Sequence, residues 1–404
     1  MKKEATHNRR QFLKKSFKSA ALAAVIPVSI NQKNALNSNE IHEGKLIYRT
    51  LGRTGIRVPI VSMGAGDTDN PKLIEAALDS GITLFATSIY YGNGNNEIML
   101  GEVMKERDRD SIVIMTSASP GGIDHKAGLF TDESKAEPFI KSCEQSLKNL
   151  RTDYIDIFLL PFAARRESVF FEPLLKAMEQ IKKTGKAKFV GIATHSHEAE
   201  AINAAVETGI YDVVMTTYNF KKSNISEINK ALDNATEAGL GIIAMKTMAG
   251  AYWDKERTLP VNTKAALKWV LQNENIHTAV PGITTYEQLK QDIMVMSDLK
   301  LSEEEKADLK LAQRNTQNGI YCQQCGKCIG QCPESLDIPT LMRSYMYAYG
   351  YRNISHAKTT LPDVSSLPCN NCEYCQIDCP MGFNIKQKII DIARLQNVHD
   401  DFIT

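Results

Sequence analysis

The sequence predicts an α/β protein: a closed parallel (β/α)8 barrel, followed by an all-helical module tied together by cysteines. Three observations carry that reading. Short β-branched runs alternate eight times with longer amphipathic stretches between Val58 and Met296. The runs are apolar almost throughout, as strands buried on both faces are. Finally, eight of the nine cysteines fall into one pattern written twice, from Cys322 to Cys332 and from Cys369 to Cys379.

The strand candidates are Val58–Met63, Thr83–Thr87, Ser111–Thr116, Tyr154–Leu160, Lys188–Ala193, Asp212–Thr217, Gly241–Met245 and His277–Gly282. Between them lie stretches such as LIEAALDSG, FEPLLKAMEQIKKTG, EAEAINAAVETG and TKAALKWVLQNE, with apolar residues three and four apart. Several end in glycine, which helix C-termini prefer. Eight such alternations predict a TIM barrel. An open doubly wound sheet fits less well, because no G-x-G-x-x-G follows the first run. Residues at the C-terminal ends of barrel strands face the reaction site. Here these are Ala86 to Tyr91, Ser117, Pro161, Thr194 and His195, Met215 to Tyr218, and Lys246.

The two cysteine runs read C-x2-C-x2-C-x3-C-P, followed by Pro333 and Pro380 respectively. That spacing folds three thiolates of one run, with the fourth of the other, around a 4Fe-4S cube. It assigns Cys322, Cys325, Cys328 and Cys379 to one cluster, and Cys369, Cys372, Cys375 and Cys332 to a second. Structural zinc uses separated C-x2-C pairs and has no use for the third cysteine or the C-P step. A disulfide framework belongs to short, loop-rich secreted chains, and this one has 404 residues. The ninth cysteine, Cys143, sits in the helical stretch EPFIKSCEQSLKNL and reads as a core thiol. Around the runs, Ser302–Gly319 reads as a capped charged helix, Pro339 and Gly350 bracket another, and FNIKQKIIDIARLQN gives a third. The module is therefore an all-helical, two-cluster, ferredoxin-like domain. The tyrosines at 345, 347, 349 and 351 read as packing around the clusters.

At the N-terminus, Asn8-Arg9-Arg10-Gln11-Phe12-Leu13-Lys14-Lys15 precedes a modest apolar stretch, Ala20–Ile30. Paired arginines before a short, weakly apolar segment predict a twin-arginine export signal over residues 1–35. That route carries folded, cofactor-loaded proteins, which agrees with the cysteines and predicts a periplasmic or membrane-tethered product. The barrel is expected over 45–300 and the cluster domain over 301–404. Without residues 1–35, 40 Lys/Arg stand against 46 Asp/Glu. A mildly acidic body argues against nucleic acid as a partner. A redox protein or a membrane electron carrier fits better, with a small molecule as substrate.

Within the barrel stretch, YRTLGRTGIRVPIVSMG (Tyr48–Gly64) resembles the opening hairpin and first strand of the aldo/keto reductases. LIEAALDSGITLFATSIYYGNGNNEIMLGEVM resembles that family's "ALDAGINFFDTAxxYGxxExxLGxAL" segment, GKAKFVGIATHS its "GKVRxIGVSNFS", and AVPGITTYEQL its late "IPGxxxxEQL". The resemblance implies hydride chemistry on NADP(H), with an Asp–Tyr–Lys–His tetrad. Of those four, Tyr91 alone survives: Ala86, Ser117 and Pro161 stand at the other positions. The nicotinamide positions carry Ala193, Thr194 and Met215, while Tyr218, Pro281, Gly282 and Gln288 keep the inherited cofactor shell. A phenol without a neighbouring cation keeps a pKa near ~10 and is a poor acid. These substitutions argue against NADP(H) as the electron source. His195 and Lys246 are the residues placed to take over proton transfer beside Tyr91.

Overall fold

The structure, a computed structural model, describes residues 40–43, 46–250, 260–314, 319–364, 369 and 372–399. The arginine pair and apolar stretch expected to direct export lie outside the described residues.

Strands β1 (Glu40–Glu43), β2 (Leu46–Thr50) and β3 (Arg57–Pro59) form a small antiparallel sheet. The turn after β2 seals one end of the barrel. Gly52 has φ +50°, and a Cβ there would meet the Gly241 backbone nitrogen at 2.4 Å. Only glycine permits both that conformation and that approach. Pro59 supplies no N–H, so the run expected at Val58–Met63 does not continue as one strand. It passes instead from β3 to β4 (Met63–Gly64).

The barrel continues with β5 (Leu84–Ala86) and β6 (Val113–Ser117). A short hairpin, β7 (Ile123–Asp124) and β8 (Leu129–Phe130), interrupts the alternation without a signal in the sequence pattern. Then follow β9 (Ile155–Pro161), β10 (Ala187–Thr194), β11 (Val213–Thr217), β12 (Gly241–Met245) and β13 (Thr278–Ala279). The eight pair in parallel in the order β4-β5-β6-β9-β10-β11-β12-β13. Parallel bridges from Val61 to Ala279 and from Gly64 to Gly282 close the ring. The expected eight-stranded parallel barrel is therefore formed.

Burial explains the near-continuous apolar strands. Every residue of β9 is buried, because one face meets the barrel interior and the other the helical layer. Leu84, Met115, Ile157, Val213 and Ile243 fill the interior. Gly191 is required by the close packing of β10 on β11, since a Cβ there would lie 2.3 Å from the Val213 carbonyl oxygen. In the outer layer, helix Ala136–Leu150 buries Phe139, Cys143, Ser146 and Leu150. Cys143 is fully buried, and burial pushes its thiol up to about 12.

Past the barrel, the described residues form helices and loops only. Helix Glu303–Arg314 starts with a reciprocal cap, Glu305 N donating to Ser302 Oγ (3.1 Å) and Ser302 N to Glu305 Oε2 (2.9 Å). Asp337, Asn353 and Asn384 cap the helices Ile338–Tyr345, Ile354–Thr360 and Ile385–Ala393. A π-helical turn, Met346–Gly350, follows the first of these three. The module packs on its own core of Ile338, Leu341, Tyr345, Phe383, Ile389 and Ile392. A second core is shared: Phe220, Ala249 and Ala266 of the barrel pack with Tyr321 and Met346 of the module. The two expected domains thus meet through a hydrophobic contact.

Candidate functional site

Where the strands end, the chain is held in conformations that side chains rarely adopt. Phe162 after β9 (φ 62°), His197 after β10 (φ 51°) and Lys246 after β12 (φ 54°) are all left-handed. Such strain persists only where surrounding contacts enforce it. Here those contacts come from the C-terminal module, which lies across the barrel mouth. Asn219 Nδ2 donates to Tyr321 Oη (2.9 Å). Ser223 N donates to Gln323 Oε1 (3.0 Å), and Lys222 Nζ to the Gln323 carbonyl (3.2 Å). The same Lys222 is paired with Glu198 at 2.5 Å, their side chains 2 % and 1 % exposed. Asn353 Nδ2 donates to Asp67 Oδ1 at 2.7 Å on the far rim.

Under this cover lies a small cavity, with room for about one water molecule. The barrel contributes His195, Thr217 and Lys246 to its wall. The module contributes Tyr321, Cys322, Gln324, Met342, Arg343 and Met346. A wider cleft shares His195, Gln324 and Arg343 with it and runs past Phe162 to the β7–β8 hairpin.

Burial dominates the electrostatics. Burial lowers Lys246 to about 7, and the charges of Arg343 and Lys222 add to the effect. Lys246 Nζ lies 5.5 Å from the centroid of the Tyr347 ring. Burial likewise holds His195 well below the usual imidazole range, with Lys246 and Arg343 acting in the same sense. His195 is therefore neutral near pH 7, and its buried Nδ1 has no hydrogen-bond partner among the described residues. Among the described residues, Thr217 Oγ1 is also buried without one. A water-sized cavity beside these atoms fits a bound water or another small polar group.

Of the three residues expected to carry proton transfer, His195 and Lys246 share this cavity and Tyr91 does not line it. Tyr91 packs between Gly66, where a Cβ would meet its ring at 2.5 Å, and the His356 ring at 5.8 Å. Burial raises its phenol far above the ordinary value, with Tyr347 adding to the shift, so it holds its proton. The residues expected to form a cofactor shell are engaged within the protein. Thr194 Oγ1 donates to the Ser196 carbonyl (2.8 Å). Tyr218 stacks on Trp269 and donates to Asn229 (2.8 Å). Gln288 Oε1 accepts from Thr284 N (2.7 Å) and Thr285 N (3.2 Å), completing a helix cap. Pro281 accepts from Gly64 N (2.8 Å) in the strand that closes the barrel. Gly282 lies against Asp67.

Four thiols of each expected cluster set are near neighbours. Burial raises Cys322 and Cys328, to about 11 and about 12, and Cys325 and Cys379 act on both. Burial raises Cys369 too, with Cys332, Cys372 and Cys375 acting on it. These are the two crossed sets that the spacing assigned. Among the described residues no group of three is tight enough to hold a single metal ion. That is consistent with a cube, which keeps its four thiolates further apart than one ion does. The donor set fits two 4Fe-4S clusters.

The fit for NADP(H) is poor. The barrel mouth, where the resemblance placed the nicotinamide, is taken up by Tyr321, Met342 and Met346. The sequence reading missed Tyr321, Gln324 and Arg343 as site residues. One signal was present: Arg343 is a lone charge in the apolar stretch IPTLMRSYM.

Residues 65–264 match the aldo/keto reductase family, and residues 321–384 match a 4Fe-4S dicluster domain. Among curated proteins, the chain is 24% identical over 308 residues to the uncharacterized oxidoreductase YqkF of Bacillus subtilis, covering 68% of this chain and 97% of that one. It is 25% identical over 331 residues to L-glyceraldehyde 3-phosphate reductase of Escherichia coli O157:H7, with 67% and 94% covered. Among solved structures, aldo-keto reductase AKR11C1 from Bacillus halodurans superposes with a TM-score of 0.53 at 18% identity, covering 66% of this chain and 96% of that one. An aldo-keto reductase from Klebsiella pneumoniae in complex with NADPH gives 0.50 at 21%, with 65% and 94% covered. The chain thus joins an aldo/keto reductase domain to a 4Fe-4S dicluster domain.

Proposed function

We propose that this protein is an exported iron–sulfur oxidoreductase that acts on a small two-electron substrate in the cavity under the cluster module. Its electrons come from, or go to, an external one-electron partner, a redox protein or a membrane carrier. One observation carries the reading: Cys322, a ligand in the first cluster set, stands in the wall of the same cavity as His195 and Lys246. When bound, the clusters supply or accept electrons one at a time. Residues 1–35 support the export part of the proposal through their paired arginines and apolar stretch.

The chain's own groups have the proton chemistry that such a reaction needs. Reducing a carbonyl to an alcohol takes two electrons and two protons. An ammonium with a pKa of about 7 donates one proton and is reprotonated from solvent to donate the second near neutrality; in the reverse direction the neutral Lys246 amine takes them up. Carbonyl reduction should therefore slow as pH rises through about 7, where Lys246 loses its proton. Oxidation of the alcohol should show the reverse limb. Lys246→Met should flatten that limb in a pH–rate profile while leaving the iron content unchanged.

The deciding experiment is an anaerobic titration of purified holoprotein with dithionite and with NADPH, followed by bleaching of cluster absorbance. Dithionite should bleach the clusters and support turnover; NADPH should do neither. Cluster reduction or carbonyl turnover with NADPH alone would return the protein to ordinary nicotinamide chemistry, as in the Klebsiella relative solved with NADPH.

A second reading makes the barrel a docking scaffold for an electron-transfer subunit. The small size of the cavity favours it. The unpartnered His195 Nδ1 and Thr217 Oγ1 favour a bound substrate instead.

A further inference from the structure

Arg343 is 8 % exposed, yet its guanidinium makes one long hydrogen bond, from Nη2 to Thr340 Oγ1 at 3.4 Å. Among the described residues no carboxylate reaches it at ion-pair distance. A guanidinium keeps its charge at any working pH, and a buried one is costly unless an anion compensates it. The anion stands in the same wall. Cys322, of the first cluster set, and Arg343 both line the cavity with room for about one water. Their charges are felt at one point, since Arg343 pushes the Lys246 ammonium down and Cys322 pushes it up.

Local structure fixes this placement. Gln324 donates its backbone N–H to Cys322 Sγ (3.4 Å) and its side-chain Nε2 to the Pro339 carbonyl (2.9 Å). Pro339 lies in the first turn of Ile338–Tyr345, the helix that carries Arg343 about one turn further on. One side chain thus clamps the first cysteine run to the helix whose cation faces it. Leu341, Met342 and Tyr345 of that helix belong to the core on which Cys322 and Cys328 pack. The second set is neighboured differently. Cys369 is acted on by its fellow thiols and by Lys386, whose ammonium is held by the Cys372 carbonyl.

A cubane core with four thiolates is a dianion, and uptake of one electron makes it a trianion. A fixed positive charge in water-poor surroundings stabilises the reduced state more than the oxidised one. It does so without any proton moving, because arginine does not titrate. We propose that Arg343 is the built-in counter-charge of the first cluster and raises its reduction potential. The proposal rests on the two-cluster reading above and on no choice of substrate.

The test is an anaerobic dithionite titration of full-length holoprotein, followed by electron paramagnetic resonance at one pH. Cys328→Ala and Cys375→Ala, each keeping one cluster, assign the two signals. Arg343→Gln should make the first cluster about tenfold or more harder to reduce, about 59 mV downward for one electron, and leave the second in place. Arg343→Lys, which keeps a charge, should recover most of that shift. Both are made in the Lys246→Met background and compared with it, because Lys246 would otherwise regain a proton once the guanidinium is gone. Thr340→Glu reaches the same end with arginine in place. Its carboxylate, in the first turn of the helix and one turn before Arg343, pairs with the guanidinium and should also lower the potential. If Arg343→Gln loses iron, the Thr340→Glu potential decides. No measurable shift, an equal shift in both clusters, or an Arg343→Lys potential matching Arg343→Gln would each overturn the proposal. Loss of the first cluster from both Arg343→Gln and Thr340→Glu would also overturn it, making Arg343 a structural support. A shifted potential without turnover of any carbonyl would sink the substrate reading alone. Turnover with an unshifted potential would sink this proposal alone.

Discussion

Replacing Cys328 with alanine should halve the iron and acid-labile sulfide of anaerobically purified protein, from about eight irons per chain to about four. It should also abolish turnover with dithionite as donor. Cys328 is half-buried, and Cys322, Cys325 and Cys379 act on its thiol, so its loss leaves the other three without a fourth ligand. The second set, Cys332 with Cys369, Cys372 and Cys375, loses no donor. The equivalent change at Cys375 should give the complementary half. Turnover that persists at half iron content would mean that the reaction at the barrel mouth does not use the first cluster. A preparation containing zinc and no sulfide would remove the basis of the reading altogether.

Lys222→Met should be among the most destabilising single changes, although Lys222 is far from any cysteine in sequence. It leaves Glu198, 1 % exposed, without its counter-charge. Breaking a buried pair from one side costs about 3–5 kcal/mol. It also releases the Gln323 carbonyl, one of the contacts that hold the first cysteine run against the barrel. For a domain of this size that cost lowers the apparent Tm by roughly 5–10 °C. The double variant Lys222→Met/Glu198→Gln removes both charges and should recover much of the loss. If single and double variants melt alike, the pair carries no coupling and the contact between barrel and module is maintained elsewhere. Differential scanning calorimetry on holoprotein measures both, with iron content as a second readout.

The fold was legible in the sequence because its signals are local and repeated. Strand runs such as Gly241–Met245 kept their expected bounds, and β9 differs from its expected run by one residue at each end. The first run was misread because Pro59 and the two-residue β4 divide it, so that the closing bridges rest on isolated residues such as Val61. The cysteine sets were legible for a chemical reason: spacing fixes which thiols can converge. The site was only half legible. His195 and Lys246 stand at strand ends, where barrel topology directs attention. Arg343, Gln324 and Tyr321 come from the other domain, and no periodicity links residue 343 to residue 246. Their meeting is a product of tertiary packing through Phe220, Ala249, Tyr321 and Met346.

The segment that supplies four of the eight cluster cysteines also forms the roof over the strand ends. Without the first cluster, the loop carrying Tyr321 and Cys322 would rest over Lys246 and His195 on the Asn219, Ser223 and Lys222 hydrogen bonds and on the packing of Tyr321 with Phe220 and Ala249.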